Sequence, residues 1–115
     1  EVFMTLSTKY YGSMLVVTAD MNRIDAAIAI QFKDDMRAKI DETAHHVVLD
    51  LTRVSFIDSS GLGAIVASMK QLGVDKKLDL AGLSETVAKV FRLTRMDMVF
   101  EIHETVEEAV ADAKQ

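Results

Sequence analysis

The chain contains no cysteine, which excludes a disulfide framework and any thiolate metal site. It contains no proline, so no residue of that kind breaks a helix or a strand. Basic residues are in the minority: 13 Lys and Arg stand against 18 Asp and Glu, a net charge of -5. A nucleic-acid binder needs a basic face, and this balance argues against that class. It favours solubility and a basic partner. No apolar run approaches the roughly 20 residues that span a bilayer, and no signal-peptide pattern is visible. The expectation is a cytoplasmic chain without direct membrane insertion.

What is present is a core. Half of the 115 residues are hydrophobic and 27% are charged, which suits one domain over residues 1–115. Val2, Met4 and Leu6 alternate and predict a first strand over 2–8. Tyr10-Tyr11-Gly12-Ser13 reads as a turn, punctuated by Gly12. Met14 to Ala19 is a continuous apolar run, suited to a strand buried on both faces. The two strands suggest a hairpin. Asp20 to Asp25 reads as a loop, with Asp25 as N-cap of a helix whose apolar face is Ala29, Phe32, Met36 and Ile40.

Val47 to Leu51 reads as the next strand, and Leu62, Ile65, Val66, Met69 and Leu72 form the clearest helical stripe, closed by Gly73. Asp75-Lys76-Lys77 reads as a charged turn, Leu78 to Ala81 as a strand, and Ser84 as the cap of a helix carrying Val87, Val90 or Phe91, and Thr94. Met98 to Ile102 reads as the last strand. Thr105 and Glu108 have capping-box spacing before a last helical face of Val106, Ala109, Val110 and Ala113. The order β-β-α-β-α-β-α-β-α predicts an α/β fold. Its sheet is mostly parallel and built of βα units, with an N-terminal β-hairpin and about four helices.

One segment gathers chemistry. After the apolar run comes Val54-Ser55-Phe56-Ile57, then Asp58-Ser59-Ser60-Gly61-Leu62-Gly63. A buried strand thus delivers a carboxylate and two hydroxyls to the start of a helix, placed near Gly61. The first turn of a helix offers free N–H groups and a positive dipole end. Ser59 or Ser60 can serve there as a simple cap, or the turn can receive a phosphate. Gly61 and Gly63 allow tight packing, or they leave the surface bare for another molecule. Each costs helix stability, about 1 kcal/mol.

Other chemistries fit less well. His45 and His46 point to opposite faces of a strand and make poor joint ligands; with His103 they read as solvated surface, and no metal site is expected. The serines lack the Gly-x-Ser-x-Gly elbow of a hydrolase. Asp50 late in a strand resembles the acceptor of a receiver domain, but Asp20 is a lone acid and Ile102-His103-Glu104 offers no lysine. Met14, Met36 and Met69 fall on apolar faces as core filler. Arg92 and Arg95 read as a solvated helix end.

Asp58 to Gly63, with the strand before it, resembles the signature of STAS domains. Within them the chain is most similar to the bacterial anti-sigma factor antagonists. Arg23-Ile24-Asp25-Ala26 matches the family's loop-to-helix segment, while Ala19-Asp20-Met21-Asn22 adds length before it. The resemblance implies a STAS fold with Ser59 as the phosphoacceptor. Asp25, Asp58, Ser60, Gly61 and Gly63 form the implied partner-binding surface beside it. It implies no catalytic residue and no cofactor. The unphosphorylated form would bind an anti-sigma factor that is a serine kinase of the histidine-kinase-like ATPase fold, releasing a sigma factor. Phosphorylation at Ser59 would end the complex, and a PP2C-type phosphatase would reset it. The same resemblance also admits a STAS regulatory module of a stress-signalling assembly or of a lipid or anion transport system.

Overall fold

The computed structural model describes residues 4–111. The chain opens with β1 (Thr5–Tyr11) and β2 (Met14–Asp20), joined by a two-residue turn at Gly12-Ser13. They pair antiparallel with Tyr11 opposite Met14. Gly12 has φ 63°, the left-handed conformation that such a tight hairpin demands. The expected hairpin is therefore present, but β1 lies further along than 2–8. Tyr10 and Tyr11 belong to the strand rather than the turn, because pairing with Leu15 and Met14 runs right up to Gly12. Leu6 is buried and Met4 packs against the core; Val2 lies outside the described residues.

The remaining elements are β3 (Arg23–Ile24), α1 (Ala29–Lys39), β4 (His46–Asp50), β5 (Phe56–Ile57), α2 (Ser59–Leu72), β6 (Lys77–Ala81), α3 (Glu85–Leu93), β7 (Ile102–His103) and α4 (Val106–Ala111). The main sheet has strand order β1-β2-β4-β6-β7. Every pairing after the first is parallel, so each strand returns through a helix.

Alternation divides the strands between two cores. Leu15, Val17 and Ala19 of β2, Val47 and Leu49 of β4, and Leu78 and Leu80 of β6 meet Phe32, Met36, Ile65 and Phe91 from α1, α2 and α3. Met14, Val16, Val48 and Ala81 face the other way and are covered by Ala109 and Val110 of α4. The unbroken apolar run of β2 is thus a strand buried on both faces. Ala113, assigned to the last helical face, lies outside the described residues.

Two further segments differ from expectation. Residues 20–25 are not all loop: β3 pairs in parallel with β5, Arg23 with Phe56 and Ile24 with Ile57. Met98 to Ile102 is not one strand. A 3-10 turn at Met96–Met98 lets Phe100 fold back against Phe91, edge to face at 6.0 Å, leaving two residues for β7. The caps expected at Gly73, Ser84 and Thr105 are observed. Gly73 has φ 92°, the Ser84 hydroxyl accepts from the Val87 N–H at 3.3 Å, and Thr105 accepts from the Glu108 N–H at 3.0 Å. Thr94 ends α3 instead of facing the core, its hydroxyl donating to the Val90 carbonyl at 2.7 Å.

Candidate functional site

The two-stranded ribbon of β3 and β5 builds the site. It is short, but it carries Asp25 and Asp58 to the same end of the molecule. Ser55, just before β5, fastens it, with its N–H to the Asn22 carbonyl at 2.8 Å and its hydroxyl to Asn22 Oδ1 at 2.6 Å.

Asp58, not a serine, caps α2, and the helix begins at Ser59 rather than near Gly61. Its backbone is extended, with φ -106° and ψ -174°, and its Oδ1 accepts from the Gly61 N–H at 2.9 Å. Asp, Ser and Asn are near-equal caps, so residue type alone does not choose between Asp58 and Ser59. The other oxygen, Oδ2, accepts from the Ala26 N–H at 3.1 Å. One carboxylate thus ties the start of α2 to the loop before α1. Donation from the Gly61 N–H, then from Ala26 and Ser60, outweighs desolvation and holds the Asp58 carboxyl below the usual carboxylate range.

Asp25 is not the cap of α1. A turn at residues 26–28 intervenes, and the N-cap position is Ile28, with no side-chain bond. Asp25 instead closes that turn, Oδ1 accepting from the Ala27 N–H and the carbonyl from the Ile28 N–H, each at 3.1 Å. Its Oδ2 meets Arg23 Nε at 3.1 Å, and the Arg23 guanidinium lies 4.3 Å above the Phe56 ring.

Ser59 and Ser60 occupy the exposed first turn of α2. The two glycines differ. Gly61 is buried, and a Cβ there would stand 1.9 Å from the Ile24 carbonyl oxygen. It serves the contact of α2 with β3, not an open surface. Gly63 is exposed, with nothing within 4 Å of a Cβ. It floors two shallow grooves that flank the serines. One, about 380 Å³, is lined by Ser59, Leu62, Val66, Ala67, Lys70, Thr94 and Met96. The other, about 220 Å³, lies against Ala29, Ile30 and Lys33 of α1 and contains Ser60. Ile30, Leu93 and Met98 are strongly exposed apolar side chains on the elements around α2. Thr94, at the end of α3, and Met96, in a 3-10 turn, are lining residues that no periodic signal in the sequence marks.

The larger cleft, about 740 Å³, lies elsewhere. Val16, Thr18, Asp50, Thr52 and Arg53 line it on the α4 side of the sheet. His46 and His103 are also not simply solvated. Both turn to the buried Asp79, through Nε2 to Oδ2 at 2.8 and 3.0 Å. The signal in the sequence was a lone acid between Leu78 and Leu80.

Residues 5–109 match the model of the STAS domain. The chain belongs to the STAS domain family. An anti-sigma-B factor antagonist of Staphylococcus epidermidis is 36% identical to this STAS domain over 67 residues, 57% of the chain and 62% of that protein. The chain thus aligns with less than two thirds of that relative's length. An anti-sigma-B factor antagonist of Listeria monocytogenes is 34% identical over 80 residues, 69% of the chain and 70% of that protein. The crystal structure of an anti-sigma factor antagonist from Mycobacterium paratuberculosis superposes with a TM-score of 0.85 at 21% identity, covering 98% of this chain and 96% of that one. A murine anion transporter of the solute carrier 26 family superposes with a TM-score of 0.81 at 17% identity. That match spans 98% of this chain but 22% of the transporter. At these identities the two structures share the STAS fold with this chain.

Proposed function

We propose that this STAS domain is an anti-sigma factor antagonist, a cytoplasmic binding module and kinase substrate rather than a catalyst. The observation that carries the reading is the setting of Ser59. Its residue is exposed in the first turn of α2, next to a cap already supplied by Asp58. A hydroxyl not needed as the cap is available for modification. The names of the Staphylococcus and Listeria relatives supply the class of partner. No helix among the described residues is long and apolar enough to cross a membrane.

In this reading the unphosphorylated domain binds an anti-sigma factor, itself a serine kinase of the histidine-kinase-like ATPase fold, and so frees a sigma factor. The partner rests over Ser59, Ser60 and Gly63, with Asp58, Asp25 and Gly61 holding that surface in shape. The kinase transfers a phosphoryl group to the Ser59 oxygen. The added charge of about -1.5 to -2 is tolerated inside the domain by the positive end of α2. A partner packed beside Asp58 does not tolerate it, since repulsion and desolvation both rise. A PP2C-type phosphatase restores the binding form.

The test is affinity capture from a lysate of the encoding organism with wild type, Ser59→Ala and Ser59→Asp, read by mass spectrometry. An ATPase of this class held by wild type and the Ala variant, but lost by the Asp variant, supports the switch. Capture of anion-transporter or stress-assembly subunits, indifferent to Ser59, overturns it in favour of a STAS module of another machine.

A further inference from the structure

Asp79 sits in mid-strand of β6 and is 1% exposed. A carboxylate withdrawn from water that far needs charged or hydrogen-bonded partners. The parallel registers supply them from both neighbouring strands. His46 of β4 is level with Lys77, and His103 of β7 is level with Ala81. Lys77, Asp79 and Ala81 share a face of β6, so the two imidazoles approach Asp79 diagonally from opposite sides. Both Nε2 atoms reach the same oxygen, Oδ2. The second oxygen, Oδ1, has no hydrogen-bond partner among the described residues. The Lys77 ammonium forms an ion pair with it at 3.6 Å and bonds to Glu101 as well. Ligand atoms of Asp79, Glu101 and His103 all lie within 4.8 Å of one another.

We propose that Asp79, Glu101 and His103, whose ligand atoms lie within 4.8 Å of one another, bind a zinc-class divalent transition metal once Lys77 swings away, with His46 holding Asp79 in place from the other side. The donor set carries the choice of ion. An imidazole beside two carboxylates, without thiolate, suits zinc, nickel or cobalt better than calcium or magnesium. The spacing is compatible. Ligands about 2.1 Å from a tetrahedral ion stand about 3.4 Å apart. The present 3.0 Å contact of His103 with Asp79 needs to open by about 0.4 Å, and the Glu101 carboxylate to close in from within 4.8 Å, to reach that value. Lys77 and Glu101 are about half exposed, which gives an ion a way in and lets the ammonium leave into solvent. The ion completes the charge of Asp79 and pins β6 and β7 together. The site lies on the α4 face of the sheet, opposite the core that holds α2 and independent of the role given to Ser59.

The experiment titrates the chelator-washed chain with zinc chloride by calorimetry, and with cobalt chloride by visible absorption. The expected result is one ion per chain, a tetrahedral cobalt spectrum and a raised thermal midpoint with zinc. His103→Gln and Glu101→Gln each weaken binding at least about tenfold, and the double variant loses it. His45→Gln, a change at the exposed neighbouring histidine, leaves binding as in wild type. Asp79→Asn removes the central ligand and abolishes binding, whereas His46→Gln, which removes no ligand, weakens it less than His103→Gln. Binding that does not saturate, a midpoint indifferent to zinc, or an equal effect of His45→Gln overturns the proposal and leaves the cluster a hydrogen-bonded network.

Discussion

Gly61 and Gly63 lie two residues apart on one helix and respond in opposite ways to the same change. Gly61→Ala drives a methyl group into the Ile24 carbonyl. Overpacking of this kind costs about 1–3 kcal/mol, so the thermal midpoint falls and the β3–α2 contact loosens. Gly63→Ala meets nothing and gains helix propensity, about 1 kcal/mol, so the midpoint rises. On the proposed function it nevertheless weakens partner binding, because the methyl fills the bare groove. Melting curves and binding isotherms on the two variants separate these effects. Asp58 has a pH signature. Its carboxyl is lowered in the folded state by the Gly61 N–H, so its stabilising contribution is present above the ordinary carboxylate range. That contribution is lost as pH falls through the lowered folded value. Asp58→Asn therefore melts below wild type at neutral pH, and the gap closes in acid; melts across a pH series check it.

Caps and short strands set the next scale. Ser84→Ala removes the acceptor for the Val87 N–H at the start of α3 and costs about 1 kcal/mol, seen as a lower denaturant midpoint. Phe91→Ala deletes a fully buried ring of the same helix and costs about 3–5 kcal/mol. Legibility in the sequence follows from length. α2, with Leu62, Ile65 and Val66 on one stripe, spans enough turns for its period to show. β3 and β5 have two residues each, too few for any period, although they aim Asp25 and Asp58. The cap of α2 was obscured for a different reason. Asp58, Ser59 and Ser60 are all good capping residues, and the choice rests on the extended backbone of Asp58. Asp79 was passed over inside an apolar strand because its partners, His46 and His103, lie 33 and 24 residues away.

At the scale of the whole molecule, the layered sheet and its helices were readable because apolar runs alternate with helical stripes along the entire chain. The two cores explain why a phosphate at Ser59 need not disturb the fold: the residue is exposed and belongs to neither. The phosphorylated domain is expected to keep its circular dichroism and show NMR shift changes confined to β3, β5 and the start of α2. On the proposed function, affinity for the anti-sigma factor falls about 100-fold or more, as like charges opposed across an interface cost several kcal/mol. A spectrum perturbed throughout the sheet would contradict this.

The β1–β2 hairpin also gives the chain an order in time. Among the described strands, it is the one pairing closed by a two-residue connection; each parallel pairing of the main sheet waits for a helix to be threaded back. A hairpin of this kind forms in about 1–10 μs, whereas distant parallel strands must first meet the entropy of closing long loops. The first edge of the sheet is therefore ready as a template before β4 arrives to lie along β2. Gly12, with its left-handed backbone, acts as the starter of that sequence, and a bulkier residue there would delay the clock at its first tick.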